Sequence, residues 1–404
     1  MVLDELAQRP VELGIYFGAE ATTLPVLQQA NLKLLSIIGS QRQQLQRCHL
    51  PTTLQHLMLG SKFEGTLNGL LPDGLTNLDL SFSSEWNQLI TPDSLPSKLE
   101  TLTLSRSFNQ EIHPRTFPPA LKSIIFGKDF NQPLSGLLPP SLTHLDLSIW
   151  GDYHHDLANL PISLTSIHLP TRFRGTLNHP PLQFMRLHDP VRMGHPLLVL
   201  RELHIESLDH ASVFDASLFP NISRLKVSRE AQWLDLSTLP WTTLKRCKLV
   251  CEDSLETNIS AIPFGVERLV LGNYSFDQAT TDTLPSSITQ LTLASCIGVK
   301  PGHIPPSVTS LKLKWTSMTE VIQAIPTTTS LRHLTLIDHQ FRGWSLFVQR
   351  LPKSISTLFL SNVDQSLELV RLTDQLYFRV SQSIKEIGFM DTLAIQSIFA
   401  LPAD

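Results

Sequence analysis

The sequence predicts a β-rich solenoid, with one parallel sheet along a single face and mostly non-helical returns on the other. Three observations carry this reading. A phrase of the form L-P-x-x-L-x-x-L-x-L recurs along the chain. Its step is about 22 residues, and the return from one copy to the next is only about ten.

The phrase reads LPTTLQHLML from Leu50, LPDGLTNLDL from Leu71, LPSKLETLTL from Leu95 and FPPALKSIIF from Phe117. It continues as LPPSLTHLDL from Leu138 and LPISLTSIHL from Leu160. After a degenerate middle it returns as IPFGVERLVL from Ile262, LPSSITQLTL from Leu284, IPPSVTSLKL from Ile304 and LPKSISTLFL from Leu351. The first core position steps through Leu54, Leu75, Leu99, Leu121, Leu142 and Leu164. It resumes at Leu200, Ile222, Leu244, Val266, Ile288, Val308, Leu331 and Ile355. With weaker copies at Leu32, Leu182 and Ile384, which lack the proline, there are roughly 17 units. The expected organisation is a capping segment over 1–31, a repeat array over 32–390, and a C-terminal cap or tail over 391–404.

One unit cannot bury itself. The last two apolar residues of L-x-x-L-x-L are two apart, so they point to one face of a strand and the residues between them point to the other. Stacked copies turn those faces into one continuous core. A step of this length lies in the leucine-rich-repeat range, and the array is expected to be such a solenoid. Its sheet would line the concave face. Proline before the strand suits a corner, because it lacks an N–H and fixes φ. Short helices are expected only near the C-terminus. The candidates are TEVIQAI from Thr319, with its threonine cap, GWSLFVQRL from Gly343, and the stretch from Asp364 to Phe378.

Composition narrows the class. With 42% hydrophobic and 17% charged residues the chain has material for a large core and too little charge for disorder. A net charge of -4 gives no reason to expect nucleic acid as a partner. No apolar run is long enough to span a bilayer, and MVLDELAQRPVEL does not read as a secretory signal. Cys48, Cys247, Cys251 and Cys296 are too few for a disulfide framework, so a reduced, cytoplasmic protein is expected.

The second half of several units reads aromatic, polar pair, apolar: WNQLI at Trp86, FNQEI at Phe108, FNQPL at Phe130, FEGTL at Phe63, FRGTL at Phe173 and FDQAT at Phe276. Together with LPPSLTHLDLS this resembles the FNIP repeat, a leucine-rich-repeat subfamily, from about residue 50 to 180 and again from about 262 to 360. The pattern is also similar, more weakly, to the LPX-type repeats of bacterial effectors. The resemblance implies an interaction module. Some FNIP proteins carry an F-box in front, but no F-box-like segment is recognisable ahead of the first repeat. The recurring aromatic is expected to plug the core once per turn.

No phosphate loop, nucleophile elbow or H-E-x-x-H motif is present, and the chain is expected to be no enzyme. Cys247 falls on an inward position, and Cys251 is too far along to complete a zinc knuckle. The loop residues Asp152, His154, His155 and Asp156 read as a solvated cluster. Neither metal nor cofactor is expected.

The outward strand positions carry the candidate site. One ladder includes His144, Phe184, Glu202, Arg224, Arg246 and Arg268; a second includes Asp146, His168, Arg186, His204, Lys226 and Lys248. Three successive units thus stack arginines, with lysines beside them. Like charges at about 4.8 Å spacing repel, so folding does not require this arrangement. It suits an acidic or phosphorylated protein segment. The bland alternative is a solubilising face, partly neutralised by Glu202, Glu206 and Glu267. The function expected is a protein-binding scaffold or adaptor acting through the concave face. The alternatives are a substrate receptor of a ubiquitin ligase without a recognisable F-box, and an enzyme inhibitor or effector. Nucleic acid and membrane are not expected partners.

Overall fold

The computed structural model describes residues 11–17, 27–28, 30–39, 45–60, 63–147, 150–188, 191–206, 215–228, 236, 239–255, 259–278, 283–316, 320, 323–325, 329–337, 351–361, 366–373, 376–380 and 388–391. The chain divides into two compact units, Met1–Leu203 and His204–Asp404. The boundary falls inside the strand Glu202–Ile205.

In the first unit every strand of the main ladder pairs parallel with the next. Val11–Phe17 and Leu32–Gly39 start it, so the expected capping segment carries a strand of its own. His56–Leu59, Asn77–Asp79, Thr101–Thr103, Ser123–Ile125, His144–Asp146, Ser166–His168 and Phe184–Leu187 follow in order. The middle core residue of each unit stands beside its counterpart, giving the column Leu57, Leu78, Leu102, Ile124, Leu145, Ile167, Met185. All seven are buried, as are Leu147 and Leu169 on the next inward positions.

Each strand is entered through a turn. The proline carbonyl accepts the N–H of the first core leucine three residues on, at Pro51–Leu54, Pro72–Leu75, Pro96–Leu99, Pro118–Leu121, Pro139–Leu142 and Pro161–Leu164. A hydroxyl just before that leucine ties the turn to its neighbour. Thr53, Ser141 and Ser163 donate to the carbonyls of Leu32, Leu121 and Leu142 respectively.

The returns are extended and turned, with two small parallel pairings, Asp152–Tyr153 with Arg172–Phe173 and Thr176–Leu177 with Arg192–Met193. Their core is a file of rings, Trp86, Phe108, Phe130, Tyr153 and Phe173, with successive centroids 5.7, 6.1, 6.3 and 6.2 Å apart. A polar file runs alongside it. Asn87 accepts from the backbone N–H of Asn109, Asn109 from that of Asn131, and Asn131 from that of His154. The amides of Gln110 and Gln132 donate to Asn87 and Asn109. The aromatic-Asn-Gln phrase is thus an apolar plug followed by a hydrogen-bond ladder that satisfies return backbone.

The second unit repeats the plan. Arg224–Ser228, Arg246–Leu255, Arg268–Tyr274, Gln290–Ala294, Ser310–Lys314, His333–Ile337 and Thr357–Ser361 form a parallel ladder. Short 3₁₀ turns at Ala216–Leu218, Ile259–Ala261 and Phe276–Gln278 sit in the returns. Cys247, Leu291 and Leu293 are buried as their inward positions require.

The end of this unit departs from expectation. The stretch from Asp364 to Phe378, a helix candidate, holds the strands Ser366–Arg371 and Leu376–Val380 instead. These strands and Gly388–Asp391 pair antiparallel, starting from Thr357–Ser361. The reason is the period of SLELVR: Leu367 and Leu369 are buried while Ser366 and Glu368 are exposed, an alternation of two. In TEVIQAI, Glu320, Gln323 and Ala324 are helical. GWSLFVQR and the weak copy at Ile384 lie outside the described residues. No helix among the described residues is long and apolar enough to cross a membrane.

Candidate interaction face

Alternation along a strand decides which side chains reach the outer face of each sheet. In the second unit the register sets Arg224 beside Arg246, Arg246 beside Arg268, and Lys226 beside Lys248. Beyond them the columns continue through Gln290 and Ser310, and through Val270, Thr292 and Lys312. Arg224, Arg246, Lys248 and Arg268 are exposed, and Lys226 is half-buried. Each like-charged neighbour costs on the order of 1 kcal/mol at this spacing in water, less with salt.

The glutamates near this ladder divide. The Lys226 ammonium lies 3.7 Å from Glu206, whose side chain is only 8% exposed. That pair neutralises one ladder cation. Glu267 is turned to the strand entrance, where it pairs with Lys245 at 2.9 Å and leaves the ladder alone. Among the described residues Arg246, Lys248 and Arg268 make no ion pair. These three cations therefore present positive charge to solvent.

In the first unit the outward face is of another kind. His144 is exposed and its Nδ1 is 2.8 Å from the Thr143 hydroxyl. His168 donates from Nδ1 to Asp146 Oδ2 at 2.6 Å, across adjacent strands. Its ring lies 5.3 Å from that of Phe184, and Arg186 is its register partner on the next strand. Glu202 and His204 are half-buried on the strand where the units divide. Sequence reasoning placed the ladder residues correctly on outward positions. It did not foresee the Asp146–His168 bond, because it read each ladder separately.

The loop cluster is held by protein partners. His154 and Asp152 lie 2.6 Å apart, His155 Nε2 lies 3.1 Å from the Asn131 carbonyl, and Asp156 accepts the Thr176 N–H and hydroxyl. Those two bonds hold the Asp156 carboxyl below its ordinary range. Among the described residues no set of three or more His, Cys, Asp or Glu forms a metal-binding group. Burial pushes the Cys247 thiol up to about 12, and raises that of Cys296 as well. Neither is the activated thiolate that nucleophilic chemistry needs. The side chain of Cys251 lies outside the described residues.

Comparison with known proteins agrees with this architecture. The FNIP Repeat family model matches residues 64–107 and 108–148, within the first of the two stretches singled out by the aromatic-Asn-Gln phrase. The chain carries FNIP-type leucine-rich repeats there. No curated protein matches the chain. Among solved structures, one described as CroV588, a novel circular LRR protein structure, is similar with a TM-score of 0.55 and 23% identity. The match covers 82% of this chain and 53% of that one, so this chain spans about half the length of that structure. The likeness is one of fold, a leucine-rich-repeat solenoid.

Proposed function

We propose that this chain is a non-catalytic, cytoplasmic protein-interaction scaffold, and that Arg224, Arg246, Arg268, Lys226 and Lys248 dock an acidic or phosphorylated segment of a protein partner. The observation that carries the reading is the register of the ladder: three arginines stand side by side on consecutive strands. A guanidinium fork matches carboxylate or phosphate geometry, and a shared anion relieves the repulsion that water only screens. The repeat fold supports the scaffold reading in general, because side chains on a rigid sheet reach a partner at fixed spacing. Free Cys48, Cys247 and Cys296 suit a reducing compartment.

The test uses a fluorescein-labelled peptide of glutamate and phosphoserine. The wild-type chain is expected to bind it with an affinity that falls as salt is added. The Arg224→Glu, Arg246→Glu double variant is expected to keep its unfolding transition and lose binding by about a hundredfold, as two charge-assisted contacts become repulsive. Unchanged binding by that variant at physiological salt would make the ladder a solvated face. The outward residues His144, Asp146, His168 and Phe184 would then be the next surface to probe.

A further inference from the structure

A cleft of about 500 Å³ opens on the first unit at the C-terminal ends of its strands, off the basic ladder. It is lined by Ser81, Thr103, Arg106, Ile125, Lys128 and Trp150, among others. None of these belongs to the outward arginine and lysine columns, and Arg106, Lys128 and Trp150 come from returns.

The two cations are set by tight backbone packing. The Asp129 N–H donates to the Arg106 carbonyl at 3.0 Å, which locks the return bearing Lys128 onto the return bearing Arg106. Gly127, just before Lys128, sits so close that an added Cβ would fall 1.7 Å from the Ser105 carbonyl oxygen. Only glycine allows that approach. Arg106 and Lys128 are exposed, and among the described residues neither makes an ion pair. Thr103 and Ser81 bring hydroxyls to the same cleft. Its other part is apolar. Trp150 is 56% exposed and forms a wall, and the half-buried Ile125 lies on the strand that carries the floor. The Trp150 ring also lies 6.3 Å from that of His188, and more than half of its surface stays open to solvent beside the two cations.

We infer that this cleft is a recognition site for a phosphorylated tyrosine in a partner protein segment. Two cations and two hydroxyls match a phosphate dianion, and the Trp150 and Ile125 faces match the ring that carries it. A carboxylate brings one negative charge to two cations, whereas a phosphate monoester brings about two. A phosphoserine would leave the aromatic wall empty. The volume suits one such side chain, since it lies within the range of small-ligand pockets of roughly 300–1,000 Å³.

The experiment titrates the full chain with a short, otherwise neutral peptide containing one phosphotyrosine, read by calorimetry. Saturable one-to-one binding is expected, with the unphosphorylated peptide at least about tenfold weaker. Arg106→Ala and Lys128→Ala are each expected to weaken binding by about tenfold or more while leaving thermal unfolding unchanged, because both side chains are exposed. Trp150→Ala is expected to erase the preference for phosphotyrosine over phosphoserine. Equal binding of the phosphorylated and plain peptides would overturn the proposal. So would unchanged binding by the Arg106→Ala, Lys128→Ala double variant, which would move the phosphate site elsewhere, the basic ladder first. Phenyl phosphate binding as tightly as the peptide would overturn the protein-segment assignment and make the occupant a small aryl phosphate.

Discussion

The rings of Phe108 and Phe130 lie 6.1 Å apart and within 8° of parallel, one full turn of the solenoid from each other. Each is about 1% exposed or less. Each ring therefore plugs its own turn and is a wall of the next. Phe108→Ala is expected to cost about 3–5 kcal/mol, and Phe108→Leu clearly less, since a leucine refills part of the space. Urea unfolding of the two variants measures this. Equal losses would mean that stacking, not volume, sets the cost.

A second file concerns backbone strain. The turns Leu67–Leu70, Thr91–Ser94, His113–Thr116 and Leu134–Leu137 are each closed by a backbone hydrogen bond. Their third residue has positive φ: Gly69 at 65°, Asp93 at 72°, Arg115 at 68° and Gly136 at 72°. This is the type II position, where glycine is the natural occupant. At Gly69 and Gly136 no atom lies within 4 Å of an added Cβ, so a side chain there packs against nothing. Arg115→Gly is expected to stabilise by about 0.5–1 kcal/mol, the strain relieved exceeding the chain entropy added. A lower melting temperature for the variant would show that the Arg115 side chain contributes packing the geometry does not reveal.

The thiol of Cys247 supplies a pH prediction. Burial raises its pKa from 9.0 to about 12, so the folded state holds this proton more tightly than the unfolded chain. The stability it contributes is fully present below pH 9 and is lost as pH rises toward 12. By pH 10 the loss from this group is on the order of 1 kcal/mol. Comparing wild type with Cys247→Ala over this range isolates the term: the variant starts less stable, from the cavity, and falls less steeply. Parallel pH profiles would show that Cys247 ionises as readily folded as unfolded.

Much of this protein is legible in one dimension. The L-x-x-L-x-L spacing determines which residues are buried, because alternation along a strand is a local property. Leu145, Ile167, Leu291 and Cys247 are inward for that reason alone. The near-constant step determines register too, so Arg224, Arg246 and Arg268 could be aligned without coordinates. The antiparallel end was legible in the period of SLELVR, but its length invited a helical reading.

What the tertiary structure decided is which side chains meet between turns. The return from strand to ring takes four residues from Phe126 to Phe130 but six from Leu147 to Tyr153. Equivalent letters of the repeat therefore do not reach equivalent points in space. Trp150, on the longer of these returns, lines the cleft with Arg106 and Lys128, while the register sets Asp146 against His168. Likewise Glu206 meets Lys226, whereas Glu267, which looked as close in sequence to a ladder cation, pairs with Lys245. Period and hydrophobicity act along the chain and leave their mark in the sequence. The meeting of polar groups depends on the path of each return, which only the folded backbone sets.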